Sequence, residues 1–451
     1  MKCDEIKELM LDVAAGAGDA TPAMNEHLLG CPDCAGKLAG IRQTMALLDE
    51  WQAPDPSPYF DTRLAAQMRE ERAKPVRAGW LSWFRAPALA GALALVLMVA
   101  GGVGLYNKGK GGSRAGNIEV LPRGPVLVTG ATGFLGGSLV RRLLLEGVRV
   151  RALVRSQPKA TELTRQGVEV VVGDLDDEVA VGAALDGFTV VYHLAGKLLE
   201  PGEPADEYRK THVEGTMRLI KCCRRHIPLE RFVHCSTTGV LGTTGDQPAD
   251  ETTPMRPTNI YEETKADAEL AVSAASREGF PAVIARPGLV YGPGDLHLVG
   301  FFRTVLRRRF RPIGGQTVWL HPIYIDDMTE AFVRCGVSAT AVGECFHFAG
   351  PEHVSLERLA TAIAEAGGTT VPRGRIPLPM ARLAAAFGDA LPARLRHAAP
   401  LTTNRLEFLT HSRVYCVAKA ERLLHFAAQT DLPTGIANSS AWYRQHGYLP
   451  A

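Results

Sequence analysis

Hydrophobic positions follow two different rhythms along this chain. From about residue 120 onward, short Val/Ile-rich runs recur: PVLVTG (125–130), VRVRALV (148–154), VEVVVGD (168–174), TVVYHLAG (189–196), RFVHCST (231–237) and AVIARPG (282–288). Most end at Gly or a small polar residue, and stretches with helical periodicity separate them. Runs without polar alternation predict strands buried on both faces. Their alternation with helices predicts an α/β fold built on a doubly wound parallel sheet. A helix is expected over Ser138–Glu146 and a strand over Val148–Val154.

The second rhythm is a single block. Ala86 to Asn107 carries no Asp, Glu, Lys or Arg, and its core, residues 88–100, reads ALAGALALVLMVA. At 1.5 Å per residue such a helix reaches across a bilayer core of about 30 Å. Trp80, Trp83 and Phe84 precede it and Tyr106 closes it, as interfacial aromatics do. A membrane helix over 86–107 is therefore expected. A Pro-punctuated and then charged linker, 51–85, lies before it, and the basic, Gly-rich stretch 108–123 lies after it.

Composition narrows the picture further. The chain has 451 residues, 46% hydrophobic and 22% charged, with a formal net charge of +2. That length suits two or three domains, and the balance of charge excludes a protein-wide basic field for nucleic acid. No apolar core follows the N-terminus closely enough for a cleavable signal peptide. Nine cysteines do not make a disulfide framework at this length, so the six beyond residue 200 are expected to be reduced thiols.

The other three cysteines sit near the N-terminus. His27, Cys31 and Cys34 form H-x3-C-x2-C, with Cys3 upstream. The i,i+4 pair His27/Cys31 is expected to leave one helix face, with Cys34 one turn further along the same helix. A thiolate from Cys3 would complete a tetrahedral Cys3His site, which suits zinc. Closing it would add folding energy that a 50-residue domain finds hard to obtain from its core. A redox CxxC is the other reading, without the usual strand-before-helix context. The run His27–Cys34 with Cys3 and the amphipathic stretch to Trp51 resembles the zinc-binding anti-sigma domain of bacterial membrane-bound regulators. The resemblance covers about residues 1–75 and implies a sigma factor as partner.

The strongest chemical signal follows the first strand. Thr129-Gly130-Ala131-Thr132-Gly133-Phe134-Leu135-Gly136 places glycines where a tight turn, close approach to a pyrophosphate and close helix packing need them. No acidic residue occurs between Gly147 and Thr161 to take a ribose 2′-hydroxyl, while Arg151, Arg155 and Lys159 do occur. A guanidinium suits a 2′-phosphate, so NADP is expected ahead of NAD, with Arg155 as its contact. Further on, Tyr261 and Lys265 stand at i,i+4. A phenol is a poor base at neutral pH, and a nearby ammonium lowers its pKa. Hydride chemistry at a carbinol needs such a proton acceptor.

These motifs, with GDL (173–175), HLAG (193–196), FVHCSTTGVLG (232–242), YEETK (261–265), ARPGLVYGPGD (285–295) and HPIYIDD (321–327), make residues 124–451 resemble an extended short-chain dehydrogenase/reductase of the NAD-dependent epimerase/dehydratase group. The resemblance implies a Rossmann-like sheet with a smaller C-terminal substrate lobe. It implies that Tyr261 is the general acid/base, that Lys265 lowers its pKa and holds the nicotinamide ribose, and that Thr237 supplies the catalytic hydroxyl, with Ser236 the neighbouring candidate. Gly130, Thr132, Gly133, Phe134, Leu135 and Gly136 would hold the phosphates and Asp174 and Leu175 the adenine. Leu194, Ala195, Gly196 and Pro287 would line the cofactor. His212 stands where the family usually has Asn, and Leu320 where sugar-nucleotide members often have Arg. The apolar surroundings of Leu320 look more like the hydroxysteroid and dihydroflavonol reductase-like branches than the sugar-nucleotide epimerases.

The parts conflict in place. One crossing puts residues 1–85 and 108–451 on opposite sides of a membrane, yet a sigma factor and NADP are both cytoplasmic. Five Lys/Arg (Arg69, Arg72, Lys74, Arg77, Arg85) precede the helix and four (Lys108, Lys110, Arg114, Arg123) follow it, which does not fix orientation. The expectation is a single-pass protein of the bacterial inner membrane, its reductase domain facing the cytoplasm, acting on a small molecule and able to form a homodimer. The alternatives are an NAD-dependent epimerase/dehydratase of a nucleotide sugar and a transmembrane anti-sigma-type regulator with a ligand-sensing Rossmann domain.

Overall fold

The computed structural model describes Cys3 and residues 21–39, 121–122, 124–200, 203–226, 229–391, 399 and 401–450. Residues 86–107 and most of both linkers lie outside them. Among the described residues no helix is long and apolar enough to cross a membrane. Two compact units divide the chain near Ser82.

In the first unit, helix α1 spans Pro22–Gly30. Thr21 caps it, its Oγ1 accepting the Met24 N–H at 3.3 Å, and Pro22 suits the first helical position, where no N–H is needed. The expected single helix through Cys34 does not form. Cys31 is extended, with φ −125° and ψ 97°, and α2 starts afresh over residues 32–39. The cause is local: a residue before proline is disfavoured in the helical region, and Pro32 cannot donate to the preceding turn.

The second unit opens with β1 (Val126–Thr129), α3 (Phe134–Leu145), β2 (Val150–Val154), α4 (Gln157–Arg165), β3 (Glu169–Val172) and α5 (Glu178–Leu185). There follow β4 (Val190–His193), a rod α6 over residues 205–226 with a π turn at Lys210–Glu214, β5 (Arg231–Cys235), α7 (Ile260–Arg277) and β6 (Ala282–Pro287). Helix α3 begins a turn earlier than Ser138, because Gly133 already takes the N-cap position.

The later elements are β7 (Leu289–Tyr291), α8 (Val299–Leu306), β8 (Trp319–Leu320), β9 (Pro322–Tyr324), α9 (Ile325–Val337), β10 (Cys345–Phe348) and β11 (Val354–Ser355). After them come α10 (Leu356–Ala366), α11 (Leu378–Ala390), α12 (Thr403–Thr410), α13 (Ala418–Leu424) and α14 (Leu432–Gln445).

Seven strands form the main sheet in the order β3-β2-β1-β4-β5-β6-β10, all parallel. Successive β1 residues serve opposite faces, as strand geometry requires. Val126 and Val128 pack with Leu139 and Leu143 of α3 and Phe332 of α9, while Leu127 packs with Leu185 of α5 and Leu219 of α6. The chain leaves β1 toward β2 on one side and β4 on the other, so a crevice opens at the carboxyl end of β1. The smaller lobe gathers α8, α10 and α14 around Phe302, Ile363 and Tyr443. Helices α11 and α12 meet through Ala381, Ala385 and Leu406.

Candidate active site

The carboxyl end of β1 is shaped for an anion. Gly130 turns with φ 75°, and a Cβ there would lie 2.6 Å from the Leu194 carbonyl. At Gly136 a Cβ would lie 2.2 Å from the Gly130 oxygen, so α3 packs directly on the turn. Gly133 caps α3 without a side-chain bond, leaving first-turn amides free to meet phosphate oxygens. This cradle fits a dinucleotide pyrophosphate. Behind it His193 lies between Thr129 Oγ1 at 2.8 Å and Thr216 Oγ1 at 2.9 Å. Burial, with help from the Lys265 charge, pushes its pKa down to about 3.

Arg155 follows β2 exposed, and Asp174 and Leu175 follow β3. These residues and Thr132 stand along the carboxyl rim of the sheet, outside the central cavity. Leu175 is only 7% exposed and belongs to the core, while its N–H is taken by Asp174 Oδ1 at 2.7 Å. Arg151 is removed from the candidates for a 2′-phosphate. It pairs with Glu169 at 2.9 Å, donates to the Asp186 carbonyl at 2.8 Å and lies 4.0 Å over the Phe188 ring.

Strand β5 and helix α7 bring the remaining groups together. Ser236 borders the central cavity, but it is buried and its hydroxyl is committed to Glu269 Oε2 at 2.6 Å. Thr237 lines the cavity together with Tyr261: its Oγ1 accepts the Gly239 N–H at 3.0 Å, and its hydroxyl acts on the phenol to draw the Tyr261 pKa down against burial. Asn259 caps α7 by accepting the Glu262 N–H at 3.1 Å, which sets Tyr261 and Lys265 on the inward face. Lys265 Nζ donates to the Cys235 carbonyl at 2.9 Å. The expected dominance of lysine over the phenol is not found. Burial pushes Tyr261 well above its ordinary range, with the Thr237 hydroxyl as the opposing influence, and burial lowers Lys265.

His212 lies in the π turn of α6. Its Nε2 accepts the Lys197 N–H at 2.9 Å and its Nδ1 meets Thr264 Oγ1 at 2.8 Å. With both nitrogens engaged and its pKa pushed down to about 3, first by burial, it is a neutral clamp between the loop after β4 and the Tyr261 helix. The substitution of His for Asn therefore builds a positional contact. It does not add an acid.

A cavity of about 490 Å³ joins these elements. Gly130, Gly133, Phe134, Leu135, Gly136, Leu194, Gly196, Thr237, Tyr261, Lys265 and Pro287 line it; Ala195 does not. Its far wall is largely apolar: Leu198, Leu199, Leu289, Val290, Leu298, Leu320 and Phe408. Polar groups that the sequence reading missed stand among them: His297, His321, Asn404, Glu407, Arg413 and Tyr415. Arg413 lines the cavity, lies 3.7 Å from Glu262 and keeps a buried Nη1 with no hydrogen-bond partner among the described residues. Nothing local in the sequence connects Arg413 to Tyr261; an isolated β-bridge to Leu320 brings it to the cavity.

Beneath the site, Glu269 and Arg286 pair at 2.6 Å with 2% and 4% exposure, and Arg286 Nη1 donates to His347 at 3.1 Å. In the separate N-terminal unit, one ligand atom from each of Cys3, His27, Cys31 and Cys34 lies within 4.8 Å of the others. Three thiols and an imidazole at that separation match the donor set and compactness of a zinc site.

A model of the NAD dependent epimerase/dehydratase family matches residues 126–353. Among curated proteins, a 3 beta-hydroxysteroid dehydrogenase/Delta 5-->4-isomerase of Mycobacterium tuberculosis is 31% identical over 324 residues, covering 67% of this chain and 86% of its own. A 4-hydroxy-2-methyl-3-oxo-4-farnesyl-3,4-dihydroquinoline-1-oxide ketoreductase of Stigmatella aurantiaca is 30% identical over 273 residues, covering 58% and 79%. Among solved structures, a UDP-glucuronic acid 4-epimerase of Bacillus cereus in complex with NAD superimposes with TM-score 0.58 at 21% identity, covering 71% of this chain and 99% of that one. The last likeness bears on the fold alone.

Proposed function

The chain belongs to the NAD dependent epimerase/dehydratase family, and from that premise we propose that it is a membrane-tethered, NADP-preferring reductase of apolar carbonyl compounds. It is an NAD(P)-dependent enzyme with reductase, dehydrogenase and epimerase relatives. The observation that carries the substrate class is that Thr237 and Tyr261 line one cavity with Leu198, Leu199, Leu289, Val290, Leu298, Leu320 and Phe408, a lining that is more apolar than polar.

The nicotinamide, when bound, supplies or accepts the hydride. This chain's residues do the rest. The Gly130–Gly136 turn holds the phosphates, and Arg155 holds the 2′-phosphate. Thr237 positions the substrate oxygen and Tyr261 gives it a proton. Burial keeps that phenol protonated at neutral pH, which suits the reductive direction. Lys265 holds the nicotinamide ribose, and Arg413 Nη1 takes a second oxygen of the substrate.

Tyr261→Phe keeps the ring and removes the proton. Full-length Y261F is expected to lose about 10²–10⁴-fold in kcat on apolar ketones with NADPH, while cofactor binding stays intact. Full activity in that variant would sink the assignment. Exchange of Arg155 for Ser should raise KM for NADPH and leave that for NADH unchanged.

For the N-terminal unit the reading is a zinc site at Cys3, His27, Cys31 and Cys34, supported by their mutual closeness. Metal analysis should find one zinc per chain, lost in C31S. The expected placement is a single pass through 86–107 with the catalytic domain in the cytoplasm. Residues 1–75 then face outward and serve a partner other than a sigma factor. Reporter fusions at the C-terminus decide it: an external C-terminus would restore the sigma-factor reading and remove the domain from its NADP.

A further inference from the structure

Helix α11 turns an apolar face to solvent. Met380, Leu383 and Phe387 are 64%, 75% and 70% exposed, and Pro379, Ala384 and Ala386 are exposed beside them. The opposite face, with Ala381, Ala385 and Gly388, is buried. At 3.6 residues per turn the three large side chains fall in a stripe about 60° wide. Scattered exposed apolar residues are ordinary, but a continuous stripe on one helix marks an interaction surface.

Charge selects the occupant. Arg373 and Arg382 flank the stripe, both exposed and with no ion pair among the described residues. The only acid from 373 to 391 is Asp389, whose carboxylate accepts from the Thr403 N–H at 3.1 Å and from its hydroxyl. A second copy seated on the same stripe about a two-fold axis would bring like charges together. An anionic lipid surface would be met by both features at once.

The stripe also lies near the chemistry. The inner face of α11 packs on Leu406 of α12, and α12 gives Asn404, Glu407 and Phe408 to the cavity. We propose that α11 rests in the headgroup layer of an anionic bilayer, placing the cavity beside a membrane in which apolar substrates dissolve. This deepens the apolar-substrate reading but stands on its own surface, independent of residues 86–107.

The test uses the full chain in phosphatidylglycerol-containing vesicles with brominated acyl chains. The emission added by F387W should shift to the blue and fall about twofold against unbrominated vesicles, since an interfacial helix buries its apolar face about 5–10 Å deep. V179W, at a site 83% exposed on α5, should show neither change. The wild-type emission, which includes Trp80 and Trp83, reports separately on the tether. No quenching of F387W, or a blue shift without quenching, would overturn the proposal; the latter would mean that protein covers the stripe. Equal quenching of F387W and V179W would overturn it too.

Discussion

Under the catalytic strand ends Glu269 and Arg286 are paired at 2.6 Å with almost no exposure, Ser236 adds its hydroxyl to the same carboxylate, and His193 is bonded at both nitrogens. Across the cavity, in the substrate lobe, His297, His321, Asn404, Glu407, Arg413 and Tyr415 are set among Leu, Val and Phe. Arg413 keeps a buried Nη1 with no partner among the described residues. On the sheet side these contacts brace the end of β5 and helix α7, which carry Thr237, Tyr261 and Lys265, while Tyr192, Arg231 and His234 of β4 and β5 keep buried polar atoms without a partner among the described residues. In the lobe the unpartnered atom, Arg413 Nη1, belongs to a residue that lines the cavity itself, where a ligand oxygen would meet it. Preorganisation and selectivity are thus lodged in different halves of one domain.

That division can be pressed hardest with acid. His193, His212 and His347 are pushed down to about 3, His321 to about 4, and His234 well below its ordinary value, burial leading in each case. Below pH 6.5 the unfolded chain takes up protons that the native state refuses, so stability falls as pH falls. Each such group adds a slope of about 1.4 kcal/mol per pH unit. Denaturant titrations should therefore show steep loss between pH 6.5 and about 4. A flat profile would mean that these imidazoles are solvated in the native protein.

A smaller effect should separate the halves directly. Glu269→Ala leaves Arg286 charged and buried, and should cost about 3–5 kcal/mol of stability, read as a drop in the unfolding midpoint. Arg413→Ala should leave that midpoint within error and raise substrate KM by about 10–100-fold, which corresponds to about 1–3 kcal/mol. Cofactor affinity should not move in R413A. A fall in stability comparable to that of E269A would show Arg413 to be structural, and the contrast between the halves would fail.

Smallest of all should be His212→Asn. Asparagine offers the same donor and acceptor pair on a shorter arm, so kcat should change by less than about tenfold, with no new pH dependence between 5 and 8. A new titration in that range would mean that the imidazole carries protons after all.

Legibility followed sequence distance. The glycine turn, the Tyr261/Lys265 pair and the strands are written in short stretches, and the parallel sheet follows from their alternation with helices; its strand order is a finding of the structure. The Cys3/His27/Cys31/Cys34 grouping was legible too, but not its backbone: Pro32 splits the helix expected to run through Cys34. Spacing alone left Ser236 and Thr237 both open. Strand geometry at the end of β5 decides between them, because Glu269, 33 residues on, claims Ser236.

By itself, then, the sequence determined the α/β class, the glycine turn after β1, the Tyr261/Lys265 spacing and the residues of the Cys/His cluster, since each rests on residue types in a recognisable order along the chain. Tertiary structure decided the rest. It took Arg151 out of the cofactor site by pairing it with Glu169, raised the Tyr261 phenol by burying it, and brought Arg413 beside Glu262, 151 residues away in the chain. Those outcomes depend on desolvation and on long-range contacts, which no local pattern of residues encodes.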